Sequence, residues 1–118
     1  MLINISGGNF MENKTKDRDN IQLGGNIELR GFSEFSGGDM IIIKKIVGNH
    51  VKRITELTNK FENIKISLKT IHEIEDSKKF EIKVHLLADG NHASEVTERN
   101  IYVGLDKVLK KIINIVDK

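Results

Sequence analysis

Residues 80–111, FEIKVHLLADGNHASEVTERNIYVGLDKVLKK, constrain the fold of this chain more than any other stretch. Phe80, Ile82, Val84 and Leu86 alternate with Glu81, Lys83 and His85, the period of a strand with one buried face. Asp89-Gly90 follows and supplies the positive backbone dihedrals of a two-residue hairpin turn, with a second extended run over 92–98. At Asn100-Ile101-Tyr102 the period changes to that of a helix. Ile101, Leu105, Val108, Leu109, Ile112 and Val116 share one side, with Lys107, Lys110, Lys111 and Lys118 opposite.

A second helix precedes this unit. Met40, Ile43, Ile46, Val47, His50, Val51, Ile54, Leu57 and Phe61 fall on one stripe, and Lys45, Asn49, Lys52, Arg53, Glu56 and Lys60 on the other side. Asp39 is the expected N-cap, and the helix is expected to end near Phe61. Lys44, Lys45, Lys52, Arg53 and Lys60 against Glu56 give 40–61 a net charge of +4. Ile41 and Ile42 lie off the stripe, so either the helix starts a turn later or they meet the N-terminal extension.

Ile27-Glu28-Leu29-Arg30 predicts a short strand, followed by a Ser- and Gly-rich connection over 31–38. Ile64, Ile66 and Leu68 alternate with Lys65, Ser67 and Lys69 in another strand, and a polar turn over 73–78 holds the carboxylates Glu73, Glu75 and Asp76. Residues 1–26 combine a short apolar start, a polar run of mixed charge and Gly24-Gly25; they read as a flexible N-terminal extension, with 2–5 as at most a short edge strand. The expected fold class is α+β: a two-layer sandwich over 27–118 in the order β-α-β-β-β-α, its four-stranded sheet carrying two helices on one face.

With 118 residues there is enough chain for one domain and its core, and too little for two. The 38% hydrophobic and 31% charged composition is that of a globular chain, with no run near the roughly 20 apolar residues of a membrane span. Cysteine is absent, which removes disulfides and thiolate metal sites and fits a reducing, cytoplasmic location. Net charge is only +2, so attraction to an anionic polymer requires local sorting of the cations.

Period two sorts them. The sheet face without helices should show Glu28, Arg30, Lys65, Lys69, Lys79, Glu81, Lys83, His85 and His92, with Lys78 at the turn. Helix and sheet together display Arg30, Lys45, Lys52, Arg53, Lys65, Lys69, Lys83, Lys107, Lys110 and Lys111 as a discontinuous basic surface, and these are the RNA-binding candidates if the partner is a nucleic acid. The plain alternative is a solvated face whose lysines provide solubility and protect strand edges.

Asn100-Ile101-Tyr102-Val103-Gly104-Leu105-Asp106-Lys107-Val108-Leu109-Lys110-Lys111-Ile112 resembles the final helix of the ribosome hibernation-promoting factors, the ribosome-associated translation inhibitors. Gly90-Asn91-His92-Ala93-Ser94 resembles the turn and strand start that precede it in that family. The opening Met1-Leu2-Ile3-Asn4-Ile5-Ser6-Gly7 also resembles the family's first strand, but no helix follows it closely, so 27–30 takes that role. The resemblance implies a domain that lodges on the small ribosomal subunit, contacts ribosomal RNA and blocks translation in resting or stressed cells. It implies the short form, without the C-terminal dimerisation domain of longer members. The run from His92 to Tyr102 is one residue longer than the family spacing. A β-bulge near Ser94-Glu95 would absorb it and return Val96 to the core side, and a different register is the alternative.

Nothing in the spacing suggests catalysis, a cofactor or a small-molecule substrate, and the chain reads as a non-enzyme. His85 and His92 are expected near each other across the hairpin, but two histidines without a third ligand predict no metal. His50 falls in the helix stripe as a partly buried side chain, and Tyr102 is expected in the core rather than stacked on a base. A general structured-RNA-binding module and a protein-interaction domain that uses an edge strand are the other functional readings.

Overall fold

In the computed structural model, residues 20–74 and 77–117 are described. The elements are β1 (Asn20–Leu23), β2 (Ile27–Arg30), α1 (Gly37–Leu57), β3 (Phe61–His72), β4 (Lys78–Ala88), β5 (Asn91–Glu98) and α2 (Ile101–Val116). The sheet has five strands rather than four, in the order β1-β2-β3-β4-β5. The added strand is Asn20–Leu23, a segment whose sequence alone places it in the extension. Gly24 and Gly25, at φ 42 and 74, form the turn of a β1–β2 hairpin that pairs Leu23 with Ile27. The expected edge strand at 2–5, the carboxylates Glu75 and Asp76 and the terminal Lys118 lie outside the described residues.

β2 and β3 run parallel, with Ile27 beside Ile64, and all other pairings are antiparallel. A parallel neighbour requires a long crossover, and α1 provides it. Gly31 makes the exit from β2 possible. It sits at φ 83, and a Cβ there would lie 2.3 Å from the Leu68 carbonyl oxygen.

α1 begins earlier than expected and ends earlier too. Ser36, not Asp39, is its N-cap, with the Ser36 hydroxyl accepting from the Asp39 N–H at 3.1 Å. This puts Asp39 inside the first turn, where a carboxylate complements the helix dipole. The helix stops at Leu57, and Phe61 opens β3. Asn100 caps α2 by accepting from the N–H groups of Tyr102 and Val103.

Both helices cover the same sheet face. Ile43, Val47, Val51 and Ile54 of α1 and Ile101, Leu105, Val108, Leu109 and Ile112 of α2 are buried with Leu29, Ile64, Ile66, Ile82, Val84 and Leu86 of the strands. Among the described residues no polar or charged side chain is buried, so apolar burial, at roughly 25 cal/mol per Å², holds the layers together. Gly104 brings α2 onto the sheet: a Cβ there would lie 2.6 Å from Ile82 Cδ1. Ile41 and Ile42 are exposed on α1, which starts before them rather than a turn later.

The β4–β5 hairpin differs in two details from the expectation. Leu87 pairs with Asn91, so the loop has three residues, with Asp89 and Gly90 both at positive φ. The pairing from Leu87 through Phe80 is unbroken, and no bulge occurs at Ser94-Glu95. His92, Ser94, Val96 and Glu98 therefore all lean to the helix side, and His92 leaves the predicted bare face. His85, opposite Ala93, stays on it. The two histidines point to opposite faces.

Candidate nucleic-acid interface

The bare sheet face is built in cross-strand rows. Gln22, Glu28, Lys65, His85 and Ala93 make one row, and Asn20, Arg30, Ser67, Lys83 and Glu95 the next. Lys69, Glu81 and Thr97 follow, then Ile71 and Lys79. Strand rise puts Lys65 and Lys69 about 13 Å apart on β3, with Lys83 on the neighbouring strand between their levels. A shallow depression lies among Lys65, Ser67, Lys83, His85, Ala93 and Glu95.

Charge on this face is mixed but positive. Arg30, Lys65, Lys69, Lys79 and Lys83 outnumber Glu28, Glu81 and Glu95, a net of +2 without the histidine. Arg30 Nε donates to Glu28 Oε2 at 2.9 Å, and Lys79 pairs with Glu73 at 3.1 Å. Lys69 and Lys83 stand opposite Glu81 and Glu95, yet Lys65, Lys69 and Lys83 form no ion pair among the described residues.

The ten candidate residues do not form one surface. Arg30, Lys65, Lys69 and Lys83 share the bare sheet face. Lys45, Lys52 and Arg53 lie on the exposed side of α1, where Arg53 meets Glu56 at 3.4 Å. On α2, Lys107 is paired with Glu98, Lys110 meets Asp106 at 3.0 Å, and Lys111 donates to the Glu95 carbonyl at 3.0 Å. Helix and sheet surfaces face opposite ways. The candidate cations free of carboxylate partners among the described residues are Lys45 and Lys52 on the helix side, Lys65, Lys69 and Lys83 on the bare sheet face, and Lys111, whose ammonium is taken up by the Glu95 backbone carbonyl. Lys44, exposed beside Lys45, belongs with the first group; it is absent from the sequence-derived candidates, although the helical period displays it.

The seam between the helices is tied by polar contacts. Tyr102 Oη donates to Asp39 Oδ1 at 2.8 Å, so Tyr102 is half-buried and its hydroxyl is engaged. That bond, with the Ser36 hydroxyl, holds the Asp39 carboxyl below its ordinary value and pushes the Tyr102 phenol up. His50 lies in the same seam. Its Nε2 is 3.0 Å from Asp106 Oδ1 and its Nδ1 2.7 Å from the Ile46 carbonyl. Lys110, then His50, keep the Asp106 carboxyl low. Asn49, His50, Arg53, Lys110, Ile113 and Asn114 line an open groove along the seam.

Fold and site together define a two-layer α+β domain with a helix-covered sheet face and a bare, net-basic one. Among solved structures the chain is similar to the N-terminal domain of Protein Y from Thermus thermophilus, with a TM-score of 0.50 and 11% sequence identity. The match covers 81% of this chain and 96% of that one, and it is a likeness of fold. No family model matches the sequence, and no curated protein matches it. The described residues contain no group of three or more His, Cys, Asp or Glu side chains arranged to hold a metal, and no helix long and apolar enough to cross a membrane.

Proposed function

We propose that this domain is a cytoplasmic, ribosome-associated factor that binds small-subunit ribosomal RNA and inhibits translation. The observation that supports it best is the fold. The final-helix motif resembles that of the ribosome hibernation-promoting factors, and the chain shares its architecture with the Protein Y domain over 96% of that domain.

Lys65, Lys69 and Lys83 are the principal phosphate contacts in this reading, with Arg30 and Lys79 at the margins. Ammonium groups on a rigid sheet neutralise phosphates and release counterions, which gives affinity with little sequence preference. Apart from the His85 imidazole the described face has no aromatic side chain, so its main grip is on the RNA backbone rather than on stacked bases. Lys45 and Lys52 make a second contact on the helix side.

Co-sedimentation with purified small subunits tests the reading. The domain should pellet with them, and its retention should fall steeply between about 50 and 200 mM salt. Absent or salt-insensitive pelleting would remove the proposal. Equal affinity for naked structured RNA would favour a general RNA-binding module instead. The edge-strand reading has less support at β5, where Lys111 already occupies the Glu95 carbonyl, and its remaining place is the other edge, β1.

A further inference from the structure

We infer that the groove between α1 and α2 is a subsite for one unpaired nucleotide of an RNA strand. The inference rests on the RNA-binding reading above and adds a base-contacting element to it. The groove is lined by Asn49, His50 and Arg53 from α1 and by Lys110, Ile113 and Asn114 from α2. Its volume, about 430 Å³, falls in the roughly 300–1,000 Å³ range of small-ligand clefts. That accommodates a nucleotide but not a docked helix.

The lining chemistry is that of a nucleotide. Ile113 is half-buried and offers an apolar surface against which a base can lie. Asn49 and Asn114 are exposed, and neither side chain has a hydrogen-bond partner among the described residues. Each amide presents both donors and an acceptor, the combination that reads base edges. Arg53 and Lys110 supply cations for the phosphate. Their partners Glu56 and Asp106 hold them in exposed surface pairs at 3.4 and 3.0 Å, which restrain such side chains only weakly. His50 cannot turn into the groove freely, because both ring nitrogens are engaged. Single-stranded RNA can present an unstacked base to such a groove, whereas a duplex keeps its bases paired.

The test uses the full chain, a short labelled single-stranded RNA of mixed sequence, and the same strand annealed to its complement. Asn49→Ala combined with Asn114→Ala should weaken single-strand binding about tenfold, the scale of removing one base contact. Its salt slope should stay unchanged, because amides release no counterions. Duplex binding should be unaffected. Both substitutions are exposed and helix-compatible, and a thermal melt verifies folding. Unchanged single-strand affinity in the double variant would overturn the inference and leave the RNA-binding reading standing. So would a wild-type chain that binds duplex but not single strand. Failure to bind either RNA would overturn the inference alone, because the ribosome reading stands or falls by co-sedimentation with small subunits.

Discussion

The hydroxyl of Tyr102 donates to the Asp39 carboxylate at 2.8 Å across 63 residues of sequence, joining the first turns of the two helices. Asp39 is thereby held below its ordinary value of 3.8 and Tyr102 above its value of 10.0. A depressed carboxyl stabilises the fold above its unfolded value, and the effect is lost as pH falls through the folded value. A raised phenol stabilises below its unfolded value and loses the effect as pH rises through the folded one. Tyr102→Phe should therefore lower the Tm at neutral pH and move the Asp39 titration, followed by NMR, back toward 3.8. An unmoved Asp39 would show that the bond does not form in solution.

Glu73 should set part of the acid limit. Arg99, bonded at 2.8 Å, and Lys79 at 3.1 Å bring its carboxyl from 4.5 down to about 2. Its stabilisation is present above about 4.5 and fades as pH falls toward 2. Glu73→Gln should flatten the stability–pH curve in that window and leave its shape near neutrality unchanged. Urea titrations from acid to neutral pH read this directly.

Two glycines should respond oppositely to alanine. At Gly31, φ is 83 and a Cβ would meet the Leu68 carbonyl oxygen at 2.3 Å. Backbone strain and overpacking together predict a loss of roughly 2–5 kcal/mol. Gly48 is exposed within α1 and has open space where a Cβ would go. Gly48→Ala should gain about 0.5–1 kcal/mol through helix propensity. Chemical denaturation of the two variants measures both.

These contrasts show which features the sequence makes legible. Alternation places Lys65, Lys69, Lys83 and His85 on the bare face, because period two is fixed by strand geometry, and helical period sorts α1 and α2. Sequence and structure part where local signals compete. Asp39 satisfies the cap rule as well as Ser36 does, and its tertiary bond to Tyr102 has no sequence signature. Gly24-Gly25 reads as a linker unless the weak strand at Asn20–Leu23 is paired with β2. His92 reads onto the wrong face because the family spacing suggests a bulge that the unbroken β4–β5 pairing does not need. Ion pairing is least legible: Glu98 lies next to Lys107, and Glu73 next to Arg99, only after the chain has folded.

Charge reversal should separate the lysines by face. Lys65→Glu with Lys69→Glu and Lys83→Glu should weaken RNA binding and reduce the salt slope by about one for each phosphate no longer neutralised. Reversing Lys107, which is paired with Glu98 and lies outside both proposed contact surfaces, should change the slope much less. Fluorescence anisotropy over a salt series gives both slopes. Equal slope changes for the two variants would remove the sheet face from the site.

The central claim is that the bare sheet face rests on ribosomal RNA. A cryo-EM map of small ribosomal subunits incubated with the protein tests it most directly. The expected map places β3 and β4 against RNA, with Lys65, Lys69 and Lys83 at contact distance from phosphates. A subunit without the domain, or a bound domain whose sheet face looks into solvent, would contradict the account.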